Sequence, residues 1–233
     1  MLAALQNQIE SLNTDSSIKV VILSGTGKAF CAGHDIKQMN KARSYDDGGE
    51  SYFRDLFARC TAVMTGLQKL PQVVIAQVHG IATAAGCQLV ASCDLAVATE
   101  DTRFGVNGVN IGLFCSTPMV ALSRNIPRKH ALELLTTGNF MTAHRAAELG
   151  LINRAVSNEH LASDTQHLAN TIASKLGVAV KIGKQAFYQQ LQMPQDQAYS
   201  FTCDVIVENL LHHDTIEGMS AFAEKRSPNW KIE

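Results

Sequence analysis

The sequence predicts an α/β fold, with an α/β core over residues 1–156 and a helical C-terminal subdomain over residues 157–233. Two observations predict it. Short apolar runs rich in β-branched residues alternate with helical periodicity up to about residue 156, a pattern typical of a sheet covered by helices. After Ser157 only helical periodicity continues, and no linker or low-complexity stretch divides the two parts.

The first elements follow from local patterns. Leu2, Leu5, Ile9 and Leu12 recur at helical spacing, so the chain opens in an amphipathic helix. Residues 20–23 are all apolar, which predicts a strand buried on both faces. Residues 24–28 form a glycine-containing turn, and residues 43–50, with two adjacent glycines, are the best candidate for a mobile loop.

A long helix is predicted over residues 52–70, because helical periodicity there stops just before Pro71. Buried strands are predicted at 73–78 and 95–98, and a segment of very small residues lies between them at 80–87. Pro118, preceded by two hydroxyl residues, indicates the start of another helix. The C-terminal helices are predicted at residues 161–176, 178–191, 196–211 and 215–226.

Composition excludes several classes of protein. The formal net charge is −1 and the basic residues are scattered, so we expect no nucleic-acid partner. No apolar run reaches the roughly 18 residues of a membrane span, so we expect no membrane association. The first twelve residues lack the basic and apolar regions of a secretory signal, and we therefore expect a cytoplasmic protein.

The six cysteines are expected to be free thiols, because the chain is large and contains no Cys-x-x-Cys pair. The only adjacent histidines, His212 and His213, have no suitably spaced cysteine or histidine companion. We therefore expect no metal site.

Two segments, residues 29–36 and 80–89, combine small residues with the start of a helix. Glycine and alanine let the backbone approach a ligand closely, and a helix N-terminus directs free N–H groups towards it. Two such groups on one oxygen would stabilise an oxyanion. Taken singly, each segment also fits simple tight packing of a helix on a strand.

Together the two segments resemble the signatures of the crotonase (enoyl-CoA hydratase/isomerase) superfamily, an F-x-A-G-x-D motif at 30–35 and a glycine-rich motif at 80–89. Residues 92–98, 104–105 and 217–226 extend the resemblance. It implies a ββα spiral core, an acyl-CoA substrate with coenzyme A as part of that substrate, no other cofactor, and a homotrimer or hexamer. Family members usually begin with a strand hairpin, which we expect to be absent from this chain.

The resemblance also assigns residues. The backbone N–H groups of His34 and Ala85 are implied to form an oxyanion hole for the thioester oxygen. Gln88 and Gly108 occupy the positions of the two family glutamates. Coenzyme A or substrate is implied to contact Lys28, Ala32, His34, Asp35, Ile36, Ala82, Ala85, Val109, Gly112 and Leu113. Phe222 and Lys225 match C-terminal residues that reach the coenzyme A of a neighbouring subunit.

The replaced glutamates are the main departure from the family pattern. Glutamine does not exchange a proton near neutral pH and glycine has no side chain, so crotonyl-CoA hydration is predicted to be slow or absent. In this respect the chain resembles the enoyl-CoA hydratase domain-containing type, which lacks both glutamates. The candidate substitutes for the glutamates are the His34 ring, Asn107, Asn110 and Cys115. Asp35 is predicted to cap a helix, and Asp94 to bind backbone groups at a turn.

Three hypotheses remain open. The first is an enoyl-CoA hydratase/isomerase-family enzyme that stabilises the enolate of an acyl-CoA. The second is a decarboxylase of a malonyl-type CoA thioester, because loss of CO₂ itself generates an enolate. Some decarboxylases of the superfamily resemble this chain in the tetrapeptide at residues 32–35. The third is an acyl-CoA-binding protein without turnover.

Overall fold

Helices and strands alternate through the first two thirds of the chain in a computed structural model that describes residues 1–230. The strands are β1 (Val20–Ser24), β2 (Val73–Val78), β3 (Ile81–Thr83), β4 (Leu95–Thr99), β5 (Arg103–Gly105), β6 (Met141–Thr142) and β7 (Arg154–Val156). The helices of this part are α1 (Leu2–Thr14), α2 (Ile36–Ala42), α3 (Glu50–Lys69), α4 (Ala85–Ser92), α5 (Ser116–Asn125), α6 (Arg128–Thr137) and α7 (Ala143–Leu149).

The last third is helical, as its periodicity predicts. It contains α8 (Leu161–Ala173), α9 (Gly177–Gln190), α10 (Gln195–Leu211) and α11 (His213–Ala223). The predicted α/β fold with C-terminal helices is confirmed. Among residues 1–230, no helix combines the length and the apolar character that crossing a bilayer would need.

The main sheet is parallel, with strand order β1-β2-β4-β7. Its central strands are buried, and Val74, Ile75 and Val97 are fully enclosed. The prediction that residues 20–23 are covered on both faces is wrong, because these residues are only half-buried. The physical reason is position: β1 lies at the edge of the described sheet and pairs there with β2 alone.

A second, smaller sheet with strand order β3-β5-β6 was not predicted. Its strands are two or three residues long, too short to carry a recognisable period. β3 pairs in parallel with β5, which places Thr83 opposite Gly105. A single bridge between Cys31 and Ala82 joins the first small-residue segment to this sheet.

Residues 43–50 form a series of turns fixed by their own side chains. Asp47 accepts hydrogen bonds from the backbone N–H groups of Gly49 and Ser51 at 2.8 and 2.9 Å. Gly49 has a φ of 88° and precedes α3. The segment is thus a hydrogen-bonded entry into α3, and its mobility stays a prediction.

The C-terminal helices are fastened to the main sheet by a buried ion pair. Lys184 on α9 donates to Asp94 Oδ2 at 2.6 Å and to the backbone oxygens of Leu67 and Gln72. Asp94 also accepts from the Val74 N–H at 2.6 Å and from the Tyr188 hydroxyl at 2.8 Å. The predicted backbone role of Asp94 is therefore confirmed in part, and its cationic partner was not foreseen.

Candidate active site

The two small-residue segments run side by side. Phe30 N–H donates to the His79 carbonyl at 3.1 Å, and Cys31 N–H donates to Ile81 O at 3.2 Å. The Thr83 N–H in turn donates to Cys31 O at 3.0 Å. Two segments that are about fifty residues apart in sequence thus lie side by side, which two converging donors require.

Glycine is needed where these segments touch. A Cβ on Gly86 would overlap the carbonyl oxygen of Cys31, and one on Gly80 would overlap that of Lys28. Both contacts are with backbone, which has little freedom to move aside. Glycine at 80 and 86 therefore permits the close approach of the two segments.

Ala84 has an unusual conformation just before α4. Its φ is 50° and its ψ is −119°, a region that favours glycine. Its N–H donates to Gly105 O at 2.9 Å, which fixes it on the small sheet. This turn makes Ala85 the first residue of α4, where its N–H has no helical acceptor.

The amide of Ala85 lies beside the residue that precedes His34. A Cβ built on Gly33, whose φ is 98°, would lie 3.6 Å from the Ala85 nitrogen. Within residues 1–230, neither the His34 N–H nor the Ala85 N–H donates to a protein acceptor. Two free main-chain donors on touching segments are the arrangement that an oxyanion hole needs.

The His34 ring is partly buried against α3. It contacts Phe57 edge to face, with ring centroids 5.5 Å apart. Burial lowers the pKa of His34, because the charged imidazolium is disfavoured away from water. Its Nε2 is buried and has no hydrogen-bond partner in the described part of the chain. A bound molecule could supply that partner.

Gln88, at the first glutamate position, is buried on α4 and only 6% exposed. Its Oε1 accepts a weak hydrogen bond from the Cys60 thiol at 3.9 Å. An amide in this place can orient a neighbour but cannot exchange a proton near neutral pH. The position thus lacks a general base.

Gly108, at the second glutamate position, has no room for a side chain. A Cβ there would lie 2.6 Å from Leu113 O and 2.9 Å from the Cys115 sulfur. The first contact is with backbone that is itself tied back, since Leu113 N–H donates to Gly108 O at 3.0 Å. A glutamate at 108 would require a different path for residues 113–115.

The thiols near the site are neutral. Burial raises the pKa of Cys60 to about 11 and that of Cys87 to about 12, and it also raises the pKa of Cys115. All six cysteines are free in the described structure. Residues 1–230 contain no cluster of three or more histidine, cysteine or acidic side chains able to hold a metal ion.

The other residues assigned from the sequence fall into three groups. Lys28, just before the first segment, and Ala32 and Ile36 within it are exposed. Asp35 caps α2 by accepting hydrogen bonds from the backbone N–H groups of Lys37 and Gln38. Asp35 is thus a helix cap, as predicted. Val109, Gly112 and Leu113 surround the turn after β5. Ala82 is fully buried, so neither its side chain nor its backbone has a surface open to a ligand in the protomer.

Phe222 and Lys225 are not brought to these segments by their own chain. They lie in and just after α11, which packs on α10. Phe222 is 88% exposed, so it makes little contact within the protomer.

Sequence reasoning missed two residues that shape the site. The Thr83 hydroxyl donates to Asn107 Oδ1 at 2.7 Å and so joins the glycine-rich segment to the turn before Gly108. Phe57 contacts His34 from the middle of α3. Neither residue carries a local signal, because both contacts are made across the fold.

Comparison with known proteins agrees with the fold and the motifs. The sequence profile of the Enoyl-CoA hydratase/isomerase family matches residues 1–233. The mitochondrial enoyl-CoA hydratase domain-containing protein 3 of Xenopus laevis is 44% identical over 99% of this chain and 76% of the relative. The human protein of that name is 43% identical over 100% of this chain and 75% of the relative.

Solved structures show the same fold. An enoyl-CoA hydratase from Mycobacterium smegmatis superposes with a TM-score of 0.95 at 50% identity, covering 99% of this chain and 88% of that one. The human enoyl-CoA hydratase domain-containing protein 3 gives a TM-score of 0.93 at 43% identity, with 98% and 88% covered.

These relatives correct one expectation. A cytoplasmic location was expected and is wrong, because the relatives from Xenopus laevis, human and mouse are all named as mitochondrial. The expectation rested on the composition of residues 1–12 alone, which does not identify a compartment. On the match to the family profile and on identity across almost the whole chain, the protein belongs to the enoyl-CoA hydratase/isomerase family.

Proposed function

We propose that this protein binds an acyl-CoA thioester and stabilises its enolate with the backbone N–H groups of His34 and Ala85. The observation that carries the proposal is the pair of free amides on touching segments, next to the left-handed turn at Ala84. Both donors belong to the main chain, so alanine at position 85 is compatible with the role. Coenzyme A is part of the substrate and stays attached to the acyl group through the thioester, and no separate cofactor is required.

The reaction is not simple hydration. Gln88 supplies no base, and the turn that follows Gly108 leaves no room for a second carboxylate. General acid–base groups typically contribute about 10²–10⁴-fold each, so their loss removes most of a hydratase rate. Crotonyl-CoA hydration is therefore expected to stay near the uncatalysed background.

Substrate binding is proposed to use the exposed residues around the two segments. We propose that Lys28, Ala32, Asp35 and Ile36 contact the nucleotide and pantetheine parts. Val109, Gly112 and Leu113 are proposed to contact the thioester side. Phe222 and Lys225 are proposed to reach the coenzyme A of a neighbouring subunit, which fits the high exposure of Phe222.

The test of the oxyanion hole uses Gly33→Ala. Its new methyl group would lie beside the Ala85 nitrogen, where the thioester oxygen should sit. Loss of one oxyanion donor typically lowers kcat by about 10²–10³-fold, so a loss of this order in turnover, or of acyl-CoA binding, is expected. The matched control is Gly27→Ala, which has a similar φ of 85° but open space around its Cβ. Equal losses in the two variants would contradict the proposal.

A malonyl-type acyl-CoA decarboxylase is the second candidate. The buried His34 Nε2 without a partner favours it, because a neutral imidazole can donate to a substrate carboxylate beside the hole. Loss of CO₂ leaves the electron pair on Cα as the enolate, and no carboxylate base is needed. Release of CO₂ from methylmalonyl-CoA, with no hydration of crotonyl-CoA and no isomerisation of 3-enoyl-CoA, would select this activity.

Binding without turnover in all three assays would instead identify an acyl-CoA-binding protein. Hydration of crotonyl-CoA well above background would contradict the inference from Gln88 and Gly108. Calorimetric titration with butyryl-CoA measures binding independently of any reaction.

We further propose that the protein is a homotrimer or a dimer of trimers, assembled through the helical subdomain of residues 157–233. Helix α10 has no buried residue within the protomer, although Tyr199, Ile206, Val207 and Leu211 lie on it. Several large apolar side chains exposed on one helix indicate a contact with another protein. The partner is a second copy of the chain, because Phe222 and Lys225 are proposed to complete a neighbour's site.

A further inference from the structure

A cavity of about 500 Å³ lies at the end of the main sheet opposite the candidate active site. Its lining comes from residues 13–19, 71–72 and 172–181, together with Asp214 and Trp230. Residues 18–19 come directly before β1 and residues 71–72 directly before β2, whereas the two small-residue segments follow these strands. A strand of five or six residues is roughly 16–20 Å long, so the cavity is separate from the proposed oxyanion hole.

The start of α9 forms one wall of this cavity and has no side-chain cap. Within residues 1–230, the backbone N–H groups of Gly177 and Val178 donate to no acceptor. Open space adjoins them, because a Cβ on Gly177 would have no neighbouring atom within 4 Å. Free N–H groups at the start of a helix carry a partial positive charge and bind anions.

The charged side chains of the lining also favour an anion. They are three lysines and two aspartates, namely Lys19, Lys175, Lys181, Asp15 and Asp214. No ion pair involves any of the three lysines within residues 1–230. Asp15 Oδ1 accepts from the N–H and the hydroxyl of Ser17 at 3.0 and 2.6 Å, so it already has partners. The cavity therefore has an excess of positive charge.

Gln72 contributes an acceptor that is not used within the protein. Its side-chain Nε2 donates to Leu12 O at 2.8 Å and to Asp15 O at 3.0 Å. Both partners are carbonyl oxygens, which fixes the orientation of the amide. Gln72 lines the cavity and is 3% exposed, and its Oε1 has no hydrogen-bond partner in the described part of the chain. Buried polar atoms nearly always have a partner, so a donor on a ligand would complete this one.

The remaining walls are apolar and include the Trp230 ring. Ile172, Leu176 and Val180 line the same space. The Trp230 Nε1 donates to Ser174 O at 3.1 Å, and this bond fastens the C-terminal segment across the turn between α8 and α9. The volume lies within the range of roughly 300–1,000 Å³ found for small-molecule sites, which combine apolar walls with a few polar groups.

We infer that this cavity is a second ligand site and that it takes a small hydroxy acid with a hydrocarbon body. The carboxylate would accept from the first N–H groups of α9 and from Lys175 and Lys181. The hydroxyl would donate to Gln72 Oε1, and the hydrocarbon part would pack on Trp230. The inference goes beyond the acyl-CoA function and does not depend on it, because the two sites lie at opposite ends of the main sheet.

The test titrates 2-hydroxy-4-methylpentanoate into the full chain. Trp230 is the only tryptophan in the sequence and lines the cavity, so its fluorescence reports binding, and calorimetry measures the same Kd independently. The comparison ligand is 4-methylpentanoate, which lacks only the hydroxyl. A neutral hydrogen bond is worth about fivefold in Kd, so the hydroxy acid is expected to bind about fivefold more tightly. This pair of ligands tests Gln72 without altering a buried side chain.

Lys181→Ala is expected to weaken binding of the hydroxy acid about tenfold, because hydrogen bonds to charged groups are stronger than neutral ones. Lys175→Ala should act in the same direction. Both lysines are exposed, so neither change removes a buried contact. Lys129→Ala, at an exposed lysine on α6, is the matched control and should leave the Kd unaltered. Saturating butyryl-CoA should not displace the hydroxy acid.

Four outcomes would overturn the inference. They are the absence of heat and fluorescence changes with either acid at millimolar concentration, equal Kd values for the two acids, equal losses in Lys181→Ala and Lys129→Ala, and displacement of the hydroxy acid by butyryl-CoA. Failure of butyryl-CoA to bind, with binding of the hydroxy acid intact, would instead contradict the proposed function and leave the second site standing.

Discussion

At the scale of single residues, Ala84 has the most costly backbone conformation near the site. Its φ of 50° and ψ of −119° lie where side chains are disfavoured by roughly 1–3 kcal/mol. Hydrogen bonding of its N–H to Gly105 O and the start of α4 hold it there. The turn sets the direction of the Ala85 amide.

Ala84→Gly is therefore predicted to raise the free energy of unfolding by about 1 kcal/mol, because glycine adopts this conformation without strain. Ala84→Val should lower the free energy of unfolding by more than this amount. Chemical denaturation of the two variants and the wild-type protein measures both changes. A stability loss in Ala84→Gly would show that the alanine methyl group contributes packing that outweighs the strain.

His34 predicts a pH dependence of stability. Its pKa is lowered in the folded state by burial, so the unfolded state binds more protons once the pH falls below the ordinary value of 6.5. The contribution of His34 to folding is thus full above pH 6.5 and is lost as the pH falls through the lowered folded-state pKa.

His34→Gln should reduce the loss of stability between pH 7.5 and pH 5, measured as the shift in urea midpoint. His167→Gln, at an exposed position on α8, is the control. An unchanged pH profile in His34→Gln would show that the imidazole is not what titrates in this range.

At the scale of elements, the packing of α9 on the main sheet depends on the buried ammonium group of Lys184. Lys184 reaches Asp94 and two backbone oxygens, and both charged side chains are at most 10% exposed. Burial lowers the pKa of Lys184, while the nearby Asp94 carboxylate partly restores it. Removing one partner of such a pair leaves the other buried and unpaired, which typically costs about 3–5 kcal/mol.

Lys184→Met is accordingly predicted to lower the free energy of unfolding by about 3–5 kcal/mol, with Asp94→Asn costing a similar amount. The double variant should cost clearly less than the sum of the two single variants, because neither charge is then left alone. Additive losses in denaturant titrations would mean that the two residues act independently.

At the scale of the whole molecule, the C-terminal helices carry several large apolar side chains that are exposed in the protomer. Leu211 is 78% exposed and Phe222 is 88% exposed, and further apolar residues on α10 and α11 lie nearby in sequence. Burial of this surface between copies would explain why α10 has no buried residue in the protomer.

Leu211→Asp is predicted to shift the protein from a trimer or hexamer to monomers in sedimentation velocity at micromolar concentration. Leu132→Asp, the same change at an exposed leucine on α6, should leave the assembly intact. A wild-type protein that sediments as a monomer would overturn the assembly proposal, with or without the variant.

The sequence alone determined the α/β class, the C-terminal helices and the two small-residue segments, because these depend on periodicity and on glycine and alanine in local runs. It also indicated the family, since the motifs at 30–35 and 80–89 are specific in combination. It placed Asp35 as a helix cap, which needs only the next three residues.

Only the tertiary structure decided which other residues each of those residues contacts and how deeply it is buried. The half-exposure of β1 follows from its edge position, which its apolar composition does not encode. The closed space at Gly108 follows from the path of Leu113 and Cys115, and the packing of α3 brings Phe57 to the ring of His34. Such contacts join residues that are distant in the chain, so the periodicity of the local sequence cannot predict them.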